Sequence, residues 1–473
     1  MITGTDPLAD DSKGGFVDQI STQVSANGVD TRLPVARSLT LGLQHVLVMY
    51  AGAVTVPLIV GAALKLPTEQ LAVLINADLL CCGFVSLIQC LGIGPHVGIK
   101  LPVMMGVSYA GIGPMIAIGS QPDMGLRGLY GAVIAAGLIC FFLVPVLRRL
   151  LGLFPPLVTG TSLLALGIGL LGVAVPWAAG GTTVTDFANP FYLVTAAIVI
   201  VVALLVARFA RGFLANVGVL AGIIVGTLFA AAFGRLDFSA VEAAPWIEMV
   251  RPFQFGLPRF EGFAVITMTL AVLVAMIESI GLFFSLSEIL ERKLSAADFA
   301  RGLRADALGA AIGGVFNTFP YTSYGQNIGL VGITGVRSRF VCVAGALILI
   351  ALAMVPKAAH LVAGIPRYVL GGAAIIMFGM VAGSGMRILQ AVDFKTRRHN
   401  MLIFAISLGV GMIPTLSPEF FKSFPASLSP LLHSGVLLSM LTAIGLNMLF
   451  NGISDAHLAL GSVARNDAPH AAG

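Results

Sequence analysis

Charge is what this chain has least of. Only 10% of its 473 residues are Asp, Glu, Lys or Arg, against about a quarter in soluble domains. With 57% hydrophobic residues and a mean hydropathy of +0.97, that scarcity excludes a soluble globular domain and points to a polytopic membrane protein. Cysteine is also sparse: the five, with Cys81 and Cys82 adjacent, lie in apolar segments at no metal-ligand spacing and read as small buried side chains. The seven histidines form no HExxH-like pair, which argues against an intramembrane metalloenzyme. No metal, cofactor or nucleic-acid partner is expected. The first 38 residues carry Asp6, Asp10, Asp11, Asp18 and Asp30 and no basic region leading into an apolar core, so they read as a disordered cytoplasmic tail and not as a signal peptide.

Long apolar runs, by contrast, fill the rest. A spanning helix needs about 20 apolar residues, and fourteen candidate segments begin near residues 39, 70, 101, 126, 157, 191, 214, 262, 300, 325, 338, 366, 400 and 431. The one at 325 is too short to cross alone, which gives thirteen full spans and one half-span. With the N-terminus inside, the inner connections hold 15 Lys and Arg and the outer ones 8. That asymmetry predicts both termini on the cytoplasmic side of the inner membrane.

The stretch Phe319–Arg339, FPYTSYGQNIGLVGITGVRSR, combines a proline, four glycines and the amides Gln326 and Asn327 between two apolar segments. Backbone broken at membrane depth is tolerated only where protein buries it or a watery cavity faces it, so a ligand is expected here. Ser108-Tyr109-Ala110-Gly111-Ile112-Gly113 in the third segment echoes Ser323 to Gly329 at an offset of 215 residues, and FPPLVTGTSLLALGIGLLG from Phe154 echoes IPRYVLGGAAIIMFGMVAG from Ile365 at 211. Two displacements that close imply a duplication of about seven segments. Seven is odd, so the second copy enters the membrane in the opposite sense, as an inverted repeat. Paired interrupted segments, here the third and tenth, mark a transporter's substrate site near the midplane. Half-helices starting after Ser108 and Gly325 would aim positive ends at an anionic or electron-rich ligand.

Ionisable residues inside such segments are functional candidates by default. Glu278, deep in the eighth segment, is the foremost. His45, beside Gln44 in the first, either pins two helices or supports the site. Asp78 in the second is a weaker case. Asp306, at the start of the ninth, is open between pairing with Arg301 or Arg304 and taking part in proton movement. Glu288 and Glu291 read as a solvated face.

These residues resemble the nucleobase/ascorbate transporter family, nucleobase:cation symporter family 2. Its signature of Gln or Glu, Asn, any residue, Gly, four residues and Thr is met by Gln326-Asn327-Ile328-Gly329, Leu330 to Ile333 and Thr334. Gln44-His45 and Glu278-Ser279-x-Gly281 match too. The resemblance implies an all-α fold of fourteen segments in two inverted repeats, with short antiparallel strands in segments 3 and 10. It further implies a core domain (residues 39–150 and 262–360), a gate domain (151–261 and 361–455) that makes homodimer contacts, and tails at 1–38 and 456–473. The site residues it carries over are Glu278, Gln326 and the backbone at Gly325, with Ser108 and Tyr109 opposite; His45, Asp306 and Asn327 support them.

Within the family the tenth segment is most similar to bacterial xanthine and uric acid permeases, and Gln326, where uracil carriers tend to have glutamate, favours a purine. Leu282 stands where xanthine-selective members often have Asp, which leans toward urate or mixed urate/xanthine use. An oxidised purine shows alternating ring N–H donors and carbonyl acceptors; Glu278 suits the former, the Gln326 amide suits a mixed edge, and Tyr109 offers a ring face. The expectation is proton-coupled uptake of uric acid and/or xanthine with Glu278 as the coupling carboxylate, sodium being left open as the coupling ion. An inorganic anion exchanger or channel of related architecture is the rival, although a carboxylate at the site would repel its ligand.

Overall fold

The computed structural model describes residues 28–150, 153–182, 184–236, 239–425 and 428–452. Prolines and polar caps set where the helices begin. Pro34 precedes α1 (Val35–Ala63) and Pro67 precedes α2 (Thr68–Leu91), each fixing φ where an N–H would have no partner in any case. A strand β1 (Met105–Val107) and a 3-10 turn lead into the short α3 (Ile112–Gly119). Then follow α4 (Gly125–Leu150), α5 (Pro156–Ala178), α6 (Pro190–Phe209) and α7 (Gly218–Ala232).

The second half repeats the plan. Glu261 accepts from the N–H groups of Phe263 and Ala264 to start α8 (Gly262–Ile289), and a Ser295/Asp298 capping box starts α9 (Ala296–Val315). Strand β2 (Tyr321–Ser323) feeds α10 (Gly325–Thr334). The last four are α11 (Arg339–Ala353), α12 (Arg367–Leu389), α13 (Arg398–Leu416) and α14 (Gly435–Asn451).

Among the described residues nine helices are long and apolar enough to cross a membrane, and ten if α11 and the helix Pro356–Ala363, bent from it by 82°, are one span. The other members of the fourteen are the two half-helices, the charged α9 and the short α14. The repeat is visible in packing. Cβ atoms added at Gly167, Gly371 and Gly385 would lie 2.4 Å from the Ala382 nitrogen, 2.1 Å from that of Ala178 and 2.5 Å from that of Leu164. So the echoing helices α5 and α12 run antiparallel with backbones in contact, as small residues in a membrane interface permit. Likewise α2 lies on α11 as α9 lies on α4, the same pairing taken once from each half. The fold is therefore a seven-plus-seven inverted repeat.

Of the tails, residues 1–27 and 453–473 lie outside the described residues. Residues 29–31 are fastened down and not free: Arg339 binds Asp30 at 2.7 Å and donates its N–H to Val29, and the Ser338 hydroxyl donates to the Thr31 carbonyl.

Candidate functional site

The two interrupted segments meet. Strands β1 and β2 pair antiparallel, with Met105 opposite Ser323, Gly106 opposite Thr322 and Val107 opposite Tyr321. Ser108 N–H to Pro320 (2.8 Å) and Tyr324 N–H to Met104 (3.0 Å) extend the ladder at both ends. The broken backbone thereby satisfies itself between the two halves, one of the two ways in which such a segment is tolerated inside a membrane protein. Gly106 is required for space. A Cβ there would sit 2.3 Å from Cζ of Tyr324, whose ring crosses the strand and whose hydroxyl donates to the Val107 carbonyl at 3.2 Å.

Helix α8 holds β2 by a hydroxyl relay. Ser323 N–H donates to Ser279 Oγ (3.1 Å), Ser279 lies 3.0 Å from Thr322 Oγ1, and Thr322 donates to the Ala275 carbonyl (3.1 Å). Because Thr322 spends its one proton on Ala275, Ser279 is the donor to it, and the chain is fully oriented. Glu278 is the neighbour of Ser279 and is half-buried. Neither of its carboxylate oxygens accepts a hydrogen bond from a described residue.

Helices α8 and α10 run parallel and in register. Leu282 Cδ2 lies 3.1 Å from where a Cβ of Gly325 would be, and Ile289 Cδ1 3.4 Å from that of Gly332, seven residues on in both helices. Glu278 thus stands one helical turn, about 6 Å, beyond the level of the first residue of α10. Tyr324 caps that helix without a side-chain hydrogen bond, so the N–H groups at its start are open. The seam between the helices is open too: Gly281, Gln326 and Gly329 are exposed, and side chains added at Gly281 or Gly329 would meet nothing within 4 Å. A half-buried carboxylate thus lies on α8 one turn from the start of α10, whose second residue, Gln326, is exposed. That set can bind a planar ligand carrying both N–H donors and acceptors.

The opposite half-helix is arranged differently. Ser108 is buried and caps its own 3-10 turn, accepting from Ala110 N–H at 3.3 Å. Tyr109 is 8% exposed; its hydroxyl donates to the Gly52 carbonyl (3.2 Å) and its ring stands edge-on to Phe378 with centroids 5.6 Å apart. His45 joins α1 to α10: the Asn327 amide nitrogen lies 3.1 Å from His45 Nδ1 and 2.9 Å from its carbonyl oxygen.

Asp306 is fully buried and pairs with neither arginine weighed for it. Its Oδ1 accepts from Gln89 at 3.1 Å, and its Oδ2 has no partner among the described residues. Arg301 binds Asp298 and Arg304 reaches the His96 carbonyl. Residues two and five apart lie on different faces of a helix, which is why sequence proximity misled. Glu291, read as solvated, does reach solvent but also binds Arg337 at 2.6 Å.

Sequence reasoning passed over Thr322 and underrated Asp78. Asp78 Oδ1 accepts from Tyr321 (2.8 Å) and Thr318 (3.2 Å), tying α2 to both sides of the β2 entry. Each is an ordinary residue in its own segment, and only the crossing of segments gives it a role. The one available signal was the serine directly after Glu278.

The sequence matches a family model described as "Permease family" (Xan_ur_permease) over residues 36–420. It is 51% identical over 424 residues to the uric acid transporter UacT of Escherichia coli, covering 90% of this chain and 88% of that protein. It is 40% identical over 420 residues to the xanthine permease of Bacillus subtilis, covering 89% and 95%. Among solved structures it resembles the transmembrane domain of the cyanobacterial bicarbonate transporter BicA, with a TM-score of 0.60 at 16% identity, covering 88% of this chain and all of that one; at that identity the likeness speaks for the fold alone. Signature, relatives and fold agree, and the chain belongs to the Xan_ur_permease family, the nucleobase/ascorbate transporters.

Proposed function

We propose that the chain is a proton-coupled symporter that imports oxidised purines, uric acid and/or xanthine, across the cytoplasmic membrane by alternating access. The observation that carries this reading is Glu278: a carboxylate without a hydrogen-bond partner among the described residues, one turn from the N-terminus of α10, whose second residue Gln326 is exposed. A ring N–H of the purine supplies the missing donor, and Gln326 and the N–H groups at Gly325 receive its carbonyl edge. Similarity to a uric acid transporter and a xanthine permease supports the substrate class. Leu282 is packed on Gly325, so the position where an aspartate would favour xanthine is apolar, which favours urate.

Protonation of Glu278 from the outer side and release inward couples the cycle. With a monoanionic substrate, one proton makes it nearly electroneutral. Asp306 and His45 act as supporting groups, through Gln89 and Asn327 respectively. In this reading the halves built from α1–α4 and α8–α11 move against those built from α5–α7 and α12–α14. Helices α6, α7 and α13 are only 22–28% buried, against 72% for α1 and α2, which leaves apolar surface for lipid and for a second copy in a homodimer.

The fold likeness to a bicarbonate transporter keeps an inorganic anion carrier as the competing reading. Glu278 calls for a hydrogen-bond donor, which a purine ring N–H supplies and sulfate or chloride does not, and this opposes it. Radiolabelled urate uptake into proteoliposomes separates the two: it should rise as the outer pH falls, be competed by xanthine and not by sulfate, and lose its pH dependence in Glu278→Gln. Uptake that keeps its full pH response in that variant would end the coupling assignment.

A further inference from the structure

A cavity of about 440 Å³ lies away from Glu278, at the end of the bundle where the α1–α2, α5–α6, α7–α8 and α11–α12 connections gather. Its volume falls within the roughly 300–1,000 Å³ of small-molecule clefts. Thr68, Tyr192, Arg235, His360 and Tyr368 contribute to its wall. The Lys and Arg distribution assigns this end to the outside.

The polar groups here are built and not incidental. Arg235 is the residue after a left-handed glycine, Gly234 with φ 66°, that ends α7, and its N–H donates to Ala230 at 3.0 Å while that of Gly234 donates to Ala231. This Schellman closure fixes the arginine backbone, and the guanidinium lies over the Phe191 ring, 5.4 Å from its centroid. Among the described residues no carboxylate forms an ion pair with it. Tyr192 and Tyr368 stack with centroids 4.7 Å apart and planes at 15°. Tyr192 donates to Asp186 (2.8 Å). Tyr368 is 7% exposed, and its hydroxyl has no hydrogen-bond partner among the described residues, an arrangement a folded protein seldom leaves unmet. His360 Nδ1 lies 3.0 Å from the Pro356 carbonyl, which can only accept, so Nδ1 carries the proton and Nε2 is left as an acceptor.

We propose that this cavity is an outer binding site for a planar heteroaromatic anion, occupied before the ligand reaches Glu278. A cation in Arg235, an unpartnered hydroxyl on Tyr368, an acceptor at His360 Nε2 and an aromatic wall together match a flat ring bearing negative charge, carbonyl oxygens and ring N–H groups. Asp186, the acceptor of the Tyr192 hydroxyl, also accepts from Asn189. The identity of the ligand as an oxidised purine rests on the function proposed above. The site itself uses none of the same residues.

The test is equilibrium binding of radiolabelled urate to the purified full chain, as wild type and as Glu278→Gln, each with and without Arg235→Gln or Tyr368→Phe. Residual urate binding should persist in Glu278→Gln, weaken about tenfold when Arg235→Gln is added, as loss of a charge-assisted contact implies, weaken less with Tyr368→Phe, and resist excess sulfate. The thermal midpoint should fall only slightly with Arg235→Gln, whose side chain is exposed and loses only its contact with the Phe191 ring. No residual binding in Glu278→Gln, residual binding indifferent to both outer variants, or displacement by sulfate would each overturn the proposal. Wild-type protein that neither binds nor transports any oxidised purine would instead refute the substrate reading, and with it the assigned ligand of this cavity.

Discussion

Asn327 Nδ2 lies within 3.1 Å of both the Nδ1 and the carbonyl oxygen of His45, so one amide group of the tenth segment ties itself to two atoms of one residue in the first. An amide nitrogen has two hydrogens, and both are used. Replacing it, as in Asn327→Leu, leaves the buried His45 Nδ1 without its partner, the His45 carbonyl keeping its bond within α1, and should cost about 1–3 kcal/mol. A lowered thermal midpoint in detergent and weakened substrate affinity are expected together, because α10 begins two residues earlier at Gly325. An unchanged midpoint would show that the contact is incidental.

Gly106→Ala tests the strand crossing. The new methyl would overlap the Tyr324 ring at 2.3 Å, and that ring is held by its bond to Val107, so β1, β2 or the ring must shift. Uptake should fall to background while the protein still reaches the membrane. The double variant Gly106→Ala/Tyr324→Ala, which removes the ring that is struck, should recover folding stability relative to the single one. Chromatographic profile and melting curve together read this out.

The buried pair Asp78 and Tyr321 gives a graded series. Asp78→Asn keeps an acceptor for the Tyr321 hydroxyl and should insert and fold with a modest loss. Asp78→Leu removes the 2.8 Å and 3.2 Å carboxylate partner of Tyr321 and Thr318, leaving these hydroxyls only each other and the residue-78 carbonyl, and should be less stable than Asp78→Asn. Equal melting temperatures for the two variants would refute the anchoring role.

Gln326→Glu keeps size and removes the amide's donor. Since Gln326 is exposed in the seam and makes no bond to a described residue, folding should be untouched and the competition profile among purines and pyrimidines should change. An unaltered profile would mean that the ligand's edge lies elsewhere.

Much was legible before any coordinates. Composition alone dictated a membrane solvent, because hydropathy adds up residue by residue along the chain. Glycine and proline at Phe319–Arg339 announced broken backbone for reasons local to each residue's φ and ψ. A single acid in an apolar run made Glu278 conspicuous, since no neighbour in sequence neutralises it.

What the sequence by itself determined was therefore the class of solvent, the fourteen segments and the duplication. What only the tertiary structure decided was which segment meets which, and hence the partners of Asp306, Asp78, Ser279 and Tyr368. Asp306 illustrates the reason: its near neighbours Arg301 and Arg304 lie off its helical face, while Gln89, 217 residues earlier, reaches it. The register in which two distant helices cross depends on the packing of all the others, so those pairings could not be read from any one stretch of the chain.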